Sequence, residues 1–306
     1  VTRVIVVGAG VVGLSVAVQL LADGHRVDVV ARDLPRETTS AVAPGLWYPD
    51  PVQPDPRALA WARTSYDVFA NIAADGSADS GVRMLSGLEV LPEESEVPWW
   101  AGAVPDLTSS RDVPDPHDVG WRMTAPVIDV PRYLDWLTAE LERLGGTLTR
   151  LNLSALPTGA EVVVNCSGIG SRLLAGDPTV RPVRGQVVRL EQVGLDTWTL
   201  DAAGPTHVVP RGSDILVGGT VEDGEWSRTP SPEATAAILA RAMRLVPELV
   251  GVPVLGVKVG LRPARPAPRV ERVDADVPVV HCYGHGGAGL TLSWGCAREV
   301  AGLVSR

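Results

Sequence analysis

The sequence predicts an α/β protein in which a Rossmann-type nucleotide-binding domain is interwoven with a second domain built on a mixed or antiparallel sheet. Three observations carry this expectation. A strand–glycine–helix–strand signature opens the chain, apolar runs bounded by glycine recur near the middle and at the end, and the stretches between them read as antiparallel strands. Pieces of one domain separated by pieces of another imply interwoven units rather than two beads on a string.

The chain begins VTRVIVVGAGVVGLSVAVQLLADGHRVDVVAR. The β-branched run Arg3–Val7 reads as a buried strand, the apolar stretch to about Leu21 as a helix, and HRVDVVAR as a second strand. Between the first strand and the helix, Gly8, Gly10 and Gly13 form G-x-G-x-x-G in the context that gives this motif its meaning. The first glycine makes the tight turn, the second lets the backbone approach a pyrophosphate, and the third lets the helix pack close to the strand. Phosphates would sit at the helix start, at Val11 and Val12, where free N–H groups and the dipole favour negative charge. One detail is off pattern. Where an acidic residue usually takes the ribose hydroxyls, VVARD sets Ala31 and Arg32 before Asp33. Arg32 is a candidate phosphate ligand, which keeps NADP open as the nucleotide.

From residue 38 to about 130 the chain is expected to be loop-rich, with proline and tryptophan in PGLWYPDPVQPDP and EVPWWAG, and one helix around RALAWARTSYDVFANIA. DVPRYLDWLTAELERLGG has helical apolar spacing and a glycine pair at its end. GAEVVVNCSGIGS reads as a buried strand whose glycine-rich end, residues 165–168, either contacts a nucleotide or simply ends the strand. RPVRGQVVRLE, THVVPRGSDILVGGTVE and GVKVGLRPARPAPRVE read as antiparallel strands, and SPEATAAILARAMRLVP as a helix capped by Ser231. VVHCYGHGGAGLTLSWGCA, residues 279–297, sets a glycine cluster before an apolar helix. Such a run is either a surface loop or a backbone surface able to touch a flat ligand. The nucleotide domain is expected at 1–50, 131–180 and 263–306, and the second domain at 51–130 and 181–262.

At 306 residues the chain can bury roughly three quarters of its unfolded surface. A net charge of -9 argues against a nucleic-acid partner, and no apolar run approaches the ~20 residues of a membrane helix. The start runs directly into a strand without a signal-peptide pattern, so a cytoplasmic location is expected. Cys166, Cys282 and Cys296 lack CxxC spacing, so no metal site or disulfide is expected, only reduced buried thiols.

The order VVGAGVVGLS, TTSAVAPGLW, VVNCSG, VRGQVV, HVVP…LVGGT, GLRPARP and YGHGGAGLTLSWGCA resembles the D-amino acid oxidase family, which includes D-aspartate oxidases and, more distantly, glycine oxidases. The resemblance runs from end to end. It implies FAD as cofactor, a mixed-sheet substrate domain and a homodimer. The implied activity is oxidative deamination of D-amino acids by oxygen, giving 2-oxo acids, ammonia and hydrogen peroxide, with hydride passing from Cα to flavin N5. D-aspartate oxidase, glycine oxidase and a flavin dehydrogenase with another acceptor are the alternatives.

Residue by residue, the resemblance puts Thr38 and Thr39 near the FAD phosphates, Gly45, Leu46 and Trp47 over the flavin, and Ser167 and Gly168 near the adenosine. Gly284, Gly286, Gly287 and Gly289 follow the flavin ring system, and the amides of Gly289, Leu290 and Thr291 face its pyrimidine edge, where reduction puts negative charge. Arg262 in GLRPARP matches the carboxylate-binding arginine, whose planar fork can hold both oxygens. A carbonyl near Gly287 is expected to accept from the substrate amine. Arg265, Arg269 and His285 are expected to be structural.

Two departures stand out. His207 in THVVP occupies a position where the family usually has a tyrosine that helps hold the carboxylate. An imidazole that titrates near its ordinary value of ~6.5 would add a pH-dependent term to carboxylate binding. Ala288 stands where a larger residue is common, which is expected to widen the pocket. No second arginine is assignable to a side-chain carboxylate, so neutral or bulky D-amino acids are expected as substrates.

Overall fold

A computed structural model describes residues 1–49, 55–76 and 78–306. Residues 50–54, which carry part of the expected proline-rich loop and the first expected domain boundary, lie outside the described residues. In chain order the strands are β1 (Arg3–Val7), β2 (Arg26–Ala31), β3 (Val82–Leu91), β4 (Thr108–Ser110), β5 (Val119–Ile128), β6 (Thr147–Arg150) and β7 (Val162–Asn165). They continue as β8 (Arg181–Glu191), β9 (Trp198–Asp201), β10 (Thr206–Pro210), β11 (Asp214–Gly218), β12 (Glu222–Asp223), β13 (Val254–Val273) and β14 (Val279–His285). The helices are α1 (Val11–Ala22), α2 (Pro56–Ala74), α3 (Val130–Arg143), α4 (Ser171–Leu174), α5 (Pro232–Leu245) and α6 (Gly289–Val304).

Among the described residues all the strands join one sheet, in the order β4-β5-β3-β9-β10-β11-β8-β13-β14-β7-β1-β2-β6, with β12 paired to β8 off this path. From β14 to β6 neighbouring strands are parallel, and their valine-rich runs are those of strands covered on both faces. From β13 to β9 they are antiparallel, and the parallel pair β3–β9 makes the second half mixed. The twenty-residue β13 joins the halves, pairing with β8 along Val254 to Ala264 and with β14 along Ala264 to Val273. The architecture is therefore the α/β arrangement expected from the sequence.

The main core lies on the helical side of the parallel half, where α1, α3, α2 and α6 pack together. Leu14, Val16 and Leu20 of α1, Leu134 and Leu137 of α3 and Leu292 of α6 are fully buried, each contributing about 2 kcal/mol. The Trp294 indole donates to the buried Tyr133 hydroxyl at 2.8 Å, and Gly295 lets α6 lie directly on the Trp61 backbone of α2. In the other half, α5 covers the sheet with Ile238 and Ala242 against Val188, Val208 and Val217. Its first turn is capped as expected, Ser231 Oγ accepting from the Ala234 amide at 3.1 Å.

One expectation is corrected. The region 38–130 is not loop with one helix, because β3 and β5 pair antiparallel over ten residues. Their strand signal is broken by Gly87, Gly120 and Pro126. Gly87 is small because the Trp198 indole lies across it, donating to the Leu85 carbonyl at 3.0 Å. The glycine that weakens the local pattern is a packing requirement of β9, a distant strand.

Candidate functional site

A cavity of about 1000 Å³ opens between the C-terminal ends of the parallel strands and the face of β8 and β13. Its position agrees with the general rule that open α/β sheets bind ligands beyond the carboxyl ends of their strands. One wall is the β1–α1 turn with Gly8, Gly10, Val11, Val12 and Gly13. Gly8 has φ +116°, and a side chain there would run into the Cys166 carbonyl; one on Gly13 would run into the Gly8 carbonyl. Gly10 is extended and has only Ser40 Oγ within 4 Å of where a β-carbon would sit, at 3.1 Å. The same hydroxyl accepts from the Val11 amide at 3.0 Å, so the first-turn donors left for an anion are Val12 and Gly13.

The remaining walls come from all along the chain. Thr38 and Thr39 line the cavity, and Thr39 ties its segment to β13 by donating to the Leu261 carbonyl at 3.1 Å. Ser167 and Gly168 line it from the end of β7. Asn165 organises that turn from below, its buried side-chain oxygen accepting from the Ser167 amide at 3.2 Å and hydroxyl at 2.6 Å. The two readings of 165–168 therefore divide between neighbouring residues. Gly286, Gly287, Gly289 and Leu290 close the cavity at the start of α6.

Arg262 reaches the cavity from β13. Its side chain folds back along the sheet over Gly185, in β8, where a β-carbon would fall 2.5 Å from Cζ. Gly260, two residues earlier, pairs with Gly185 in register, so two glycines floor this part of the site. The half-buried guanidinium donates to the Thr220 carbonyl at 3.1 Å. Among the described residues it has no carboxylate partner, and burial depresses its pKa. A shielded cation with spare donors is the arrangement a carboxylate ligand requires.

His207 lies on the same sheet, in register with Gly218, which in turn pairs with Val187 of the cavity wall. The ring sits over Gly218, and burial, followed by the charge of Arg262, pulls its pKa down to about 4. The expectation of an imidazole titrating near its ordinary value is thus corrected: His207 is neutral through the physiological range. Nε2 is buried with no hydrogen-bond partner among the described residues. His207 is not in the cavity lining.

Other sequence candidates lie behind the walls. Gly45, Leu46 and Trp47 run beside β5: Leu46 bridges Val127, and the buried Trp47 indole donates to the Ala62 carbonyl at 3.1 Å and packs edge-on against Tyr66. The Thr291 hydroxyl is occupied by the Tyr48 backbone, accepting from its amide and donating to its carbonyl, each at 3.1 Å. Gly284 makes room for Arg265, which is ion-paired to Asp177 at 2.9 Å. Ala288 is fully buried in the core and does not widen the cavity. Arg32 lines the cavity, but its fork is held by Asp33 at 3.1 and 2.6 Å, and that pairing raises its pKa. The charge that made it a phosphate ligand is already matched.

Sequence reasoning missed Gly185, Gly260, Trp226 and Arg228, which also line the cavity; Ser40, read with Thr38 and Thr39 as a possible cap, accepts from the Val11 amide at the start of α1. A glycine inside an otherwise apolar strand was the available signal for Gly185 and Gly260. It also missed that the fold gathers Cys282, His285 and Cys296, whose donor atoms all lie within 4.8 Å of one another.

A profile of the FAD dependent oxidoreductase family matches residues 3–303. The chain is 46% identical over 315 residues to a D-amino-acid oxidase of Rubrobacter xylanophilus, covering 99% of this chain and 96% of the relative. It is 39% identical over 323 residues to a D-aspartate oxidase of Homo sapiens, covering 99% and 94%. Glycine oxidase from Geobacillus kaustophilus has the same fold, with a TM-score of 0.85 at 20% identity over 100% of this chain and 95% of that one.

Proposed function

Because the chain belongs to the FAD dependent oxidoreductase family, we propose that it oxidatively deaminates D-amino acids with neutral or bulky side chains, producing the 2-oxo acid, ammonia and hydrogen peroxide. The observation that carries this reading is Arg262: a shielded guanidinium over a glycine floor, without a carboxylate partner among the described residues, in a cavity of about 1000 Å³.

The cavity fits FAD. Val12 and Gly13 would hold the diphosphate, Ser167 and Gly168 the adenosine end, and Gly286, Gly287, Gly289 and Leu290 the ring system. When bound there, FAD supplies the two-electron acceptor for the hydride leaving Cα and returns the electrons to oxygen. The protein contributes orientation and charge. Arg262 takes the substrate carboxylate in its fork, while its bond to Thr220 fixes the plane of that fork. The Gly287 carbonyl would accept from the substrate amine and orient it. The first amides of α6 stabilise negative charge at the acceptor, with no side chain needed. No nucleophile or strong base is required, because holding the Cα–H at hydride-transfer distance supplies much of the rate.

The case for neutral side chains comes from the cations in the lining. Arg32 is matched by Asp33, Arg172 is bound to the Pro178 and Val180 carbonyls, and Arg228 is exposed, whereas Arg262 is half-buried. Arg262 is thus the one left for a carboxylate near β8 among the described lining residues. Residues 1–50, 131–180 and 263–306 as the cofactor domain, 51–130 and 181–262 as the substrate domain, a homodimer on family resemblance, and a cytoplasmic location complete the reading. Among the described residues no helix is long and apolar enough to cross a membrane.

The test is a substrate panel of D-alanine, D-phenylalanine, D-aspartate, glycine and L-alanine, following peroxide, 2-oxo acid and reduction of an artificial dye. The proposal expects equal peroxide and 2-oxo acid from the neutral D-isomers. Best turnover on D-aspartate or glycine would overturn the substrate class, and dye reduction without peroxide would make the protein a dehydrogenase.

A further inference from the structure

Behind the cofactor cavity lies a cluster that the proposed reaction does not use. Cys282 in β14, His285 at the end of that strand and Cys296 in α6 are all buried, and their donor atoms lie within 4.8 Å of one another. Cys296 Sγ is 3.5 Å from His285 Nε2. In a regular strand, residues 282 and 285 would point to opposite faces. Gly284 between them has φ +84°, which breaks the alternation and lets the imidazole join the thiol. A third thiol stands alongside. β7 and β14 are paired in parallel with His281 opposite Asn165, so the next residues, Cys282 and Cys166, are neighbours.

We propose that Cys282, His285 and Cys296 form a binding site for one thiophilic monovalent d10 cation, with Cu(I) as the best match. Two sulfurs and one imidazole nitrogen make a soft donor set, of the kind that takes Cu(I), zinc or iron–sulfur clusters. Zinc in structural sites requires four ligands. Cys166 is not among the donors within mutual reach, so three ligands are at hand among the described residues. Binding replaces the two thiol protons of Cys282 and Cys296 with the cation, releases both protons, and leaves a site of net charge minus one. With the cation in place, Cys166 remains a free thiol beside Cys282 on the neighbouring strand, outside the donor set. His285 lines the cavity wall and immediately precedes the loop 286–288, so the cation would tie that loop to α6.

The test uses the FAD-loaded full chain, reduced, anaerobic and without substrate, equilibrated with the Cu(I)–bicinchoninate complex, whose colour is read beyond the flavin bands. The wild type is expected to withdraw one equivalent of copper. Cys282→Ala and Cys296→Ala should each weaken binding at least tenfold with the flavin-to-protein ratio unchanged, while Cys166→Ala keeps the equivalent. X-ray absorption of the copper-loaded wild type should show two sulfurs and one nitrogen, which decides the matter even if a variant fails to fold. Failure of the wild type to withdraw copper, full binding by Cys282→Ala, or a copper shell without nitrogen would overturn the proposal. None of these outcomes depends on which amino acid the enzyme oxidises.

Discussion

The Arg262 guanidinium lies across Gly185, with Cζ and both terminal nitrogens 2.5 Å from where a β-carbon on that residue would be. The carboxylate handle is therefore positioned by the absence of a side chain on the neighbouring strand. Gly185→Ala should displace the guanidinium while the strand stays paired, since a guanidinium end can shift more easily than backbone. A misplacement of about 1 Å in a reacting pair costs on the order of 100-fold. Steady-state kinetics on D-alanine should show kcat/KM falling by that order, with flavin content and melting temperature near wild type. Unchanged kinetics would mean that Arg262 does not hold the substrate.

Gly10 faces the cavity beside Ser40. Gly10→Val puts two methyl groups where the diphosphate is expected, so purified protein should contain little FAD and regain little on incubation, with an unchanged far-ultraviolet circular dichroism spectrum. A wild-type flavin-to-protein ratio would remove the β1–α1 turn from the cofactor site.

The pH prediction concerns His207. Its pKa is about 4 in the folded chain against ~6.5 unfolded, so as pH falls below about 6.5 the unfolded chain takes up a proton that the folded chain refuses. Stability is lost between those values, at most about 3 kcal/mol from this group. The buried His281, also lowered to about 4, acts in the same direction. Urea unfolding of His207→Phe should show a shallower acid loss than the wild type. Benzoate affinity should run parallel in the two proteins between about pH 5.5 and 8, where the imidazole is neutral. A benzoate affinity that rises as pH falls, in the wild type alone, would show the ring to be a cationic ligand.

These tests divide what the sequence disclosed from what it did not. Gly8, Gly10, Gly13 and Arg262 were legible because their roles are written in local spacing: a turn between strand and helix, and an arginine inside a distinctive segment. Gly185 and Gly260 were not, because their smallness serves Arg262 and Val42, which approach from other elements. β3 and β5 escaped notice for the same reason, Gly87 being shaped by Trp198. Arg32 looked like a phosphate ligand until its neighbour Asp33 was seen to turn back onto it. The three cysteines, unremarkable in spacing, come together only when β7 lies beside β14 and α6 packs against β14.

The most direct test of the central claim is the second-order rate constant for anaerobic reduction of the bound flavin, measured by stopped flow with D-alanine and L-alanine in the wild type and Arg262→Ala. Removing the partner of a buried carboxylate costs on the order of 3 kcal/mol, roughly a 150-fold loss. The account predicts bleaching by the D-isomer alone, slowed to that extent in Arg262→Ala with flavin still bound. Equal bleaching by both isomers, or a variant that reduces as fast as the wild type, would contradict it.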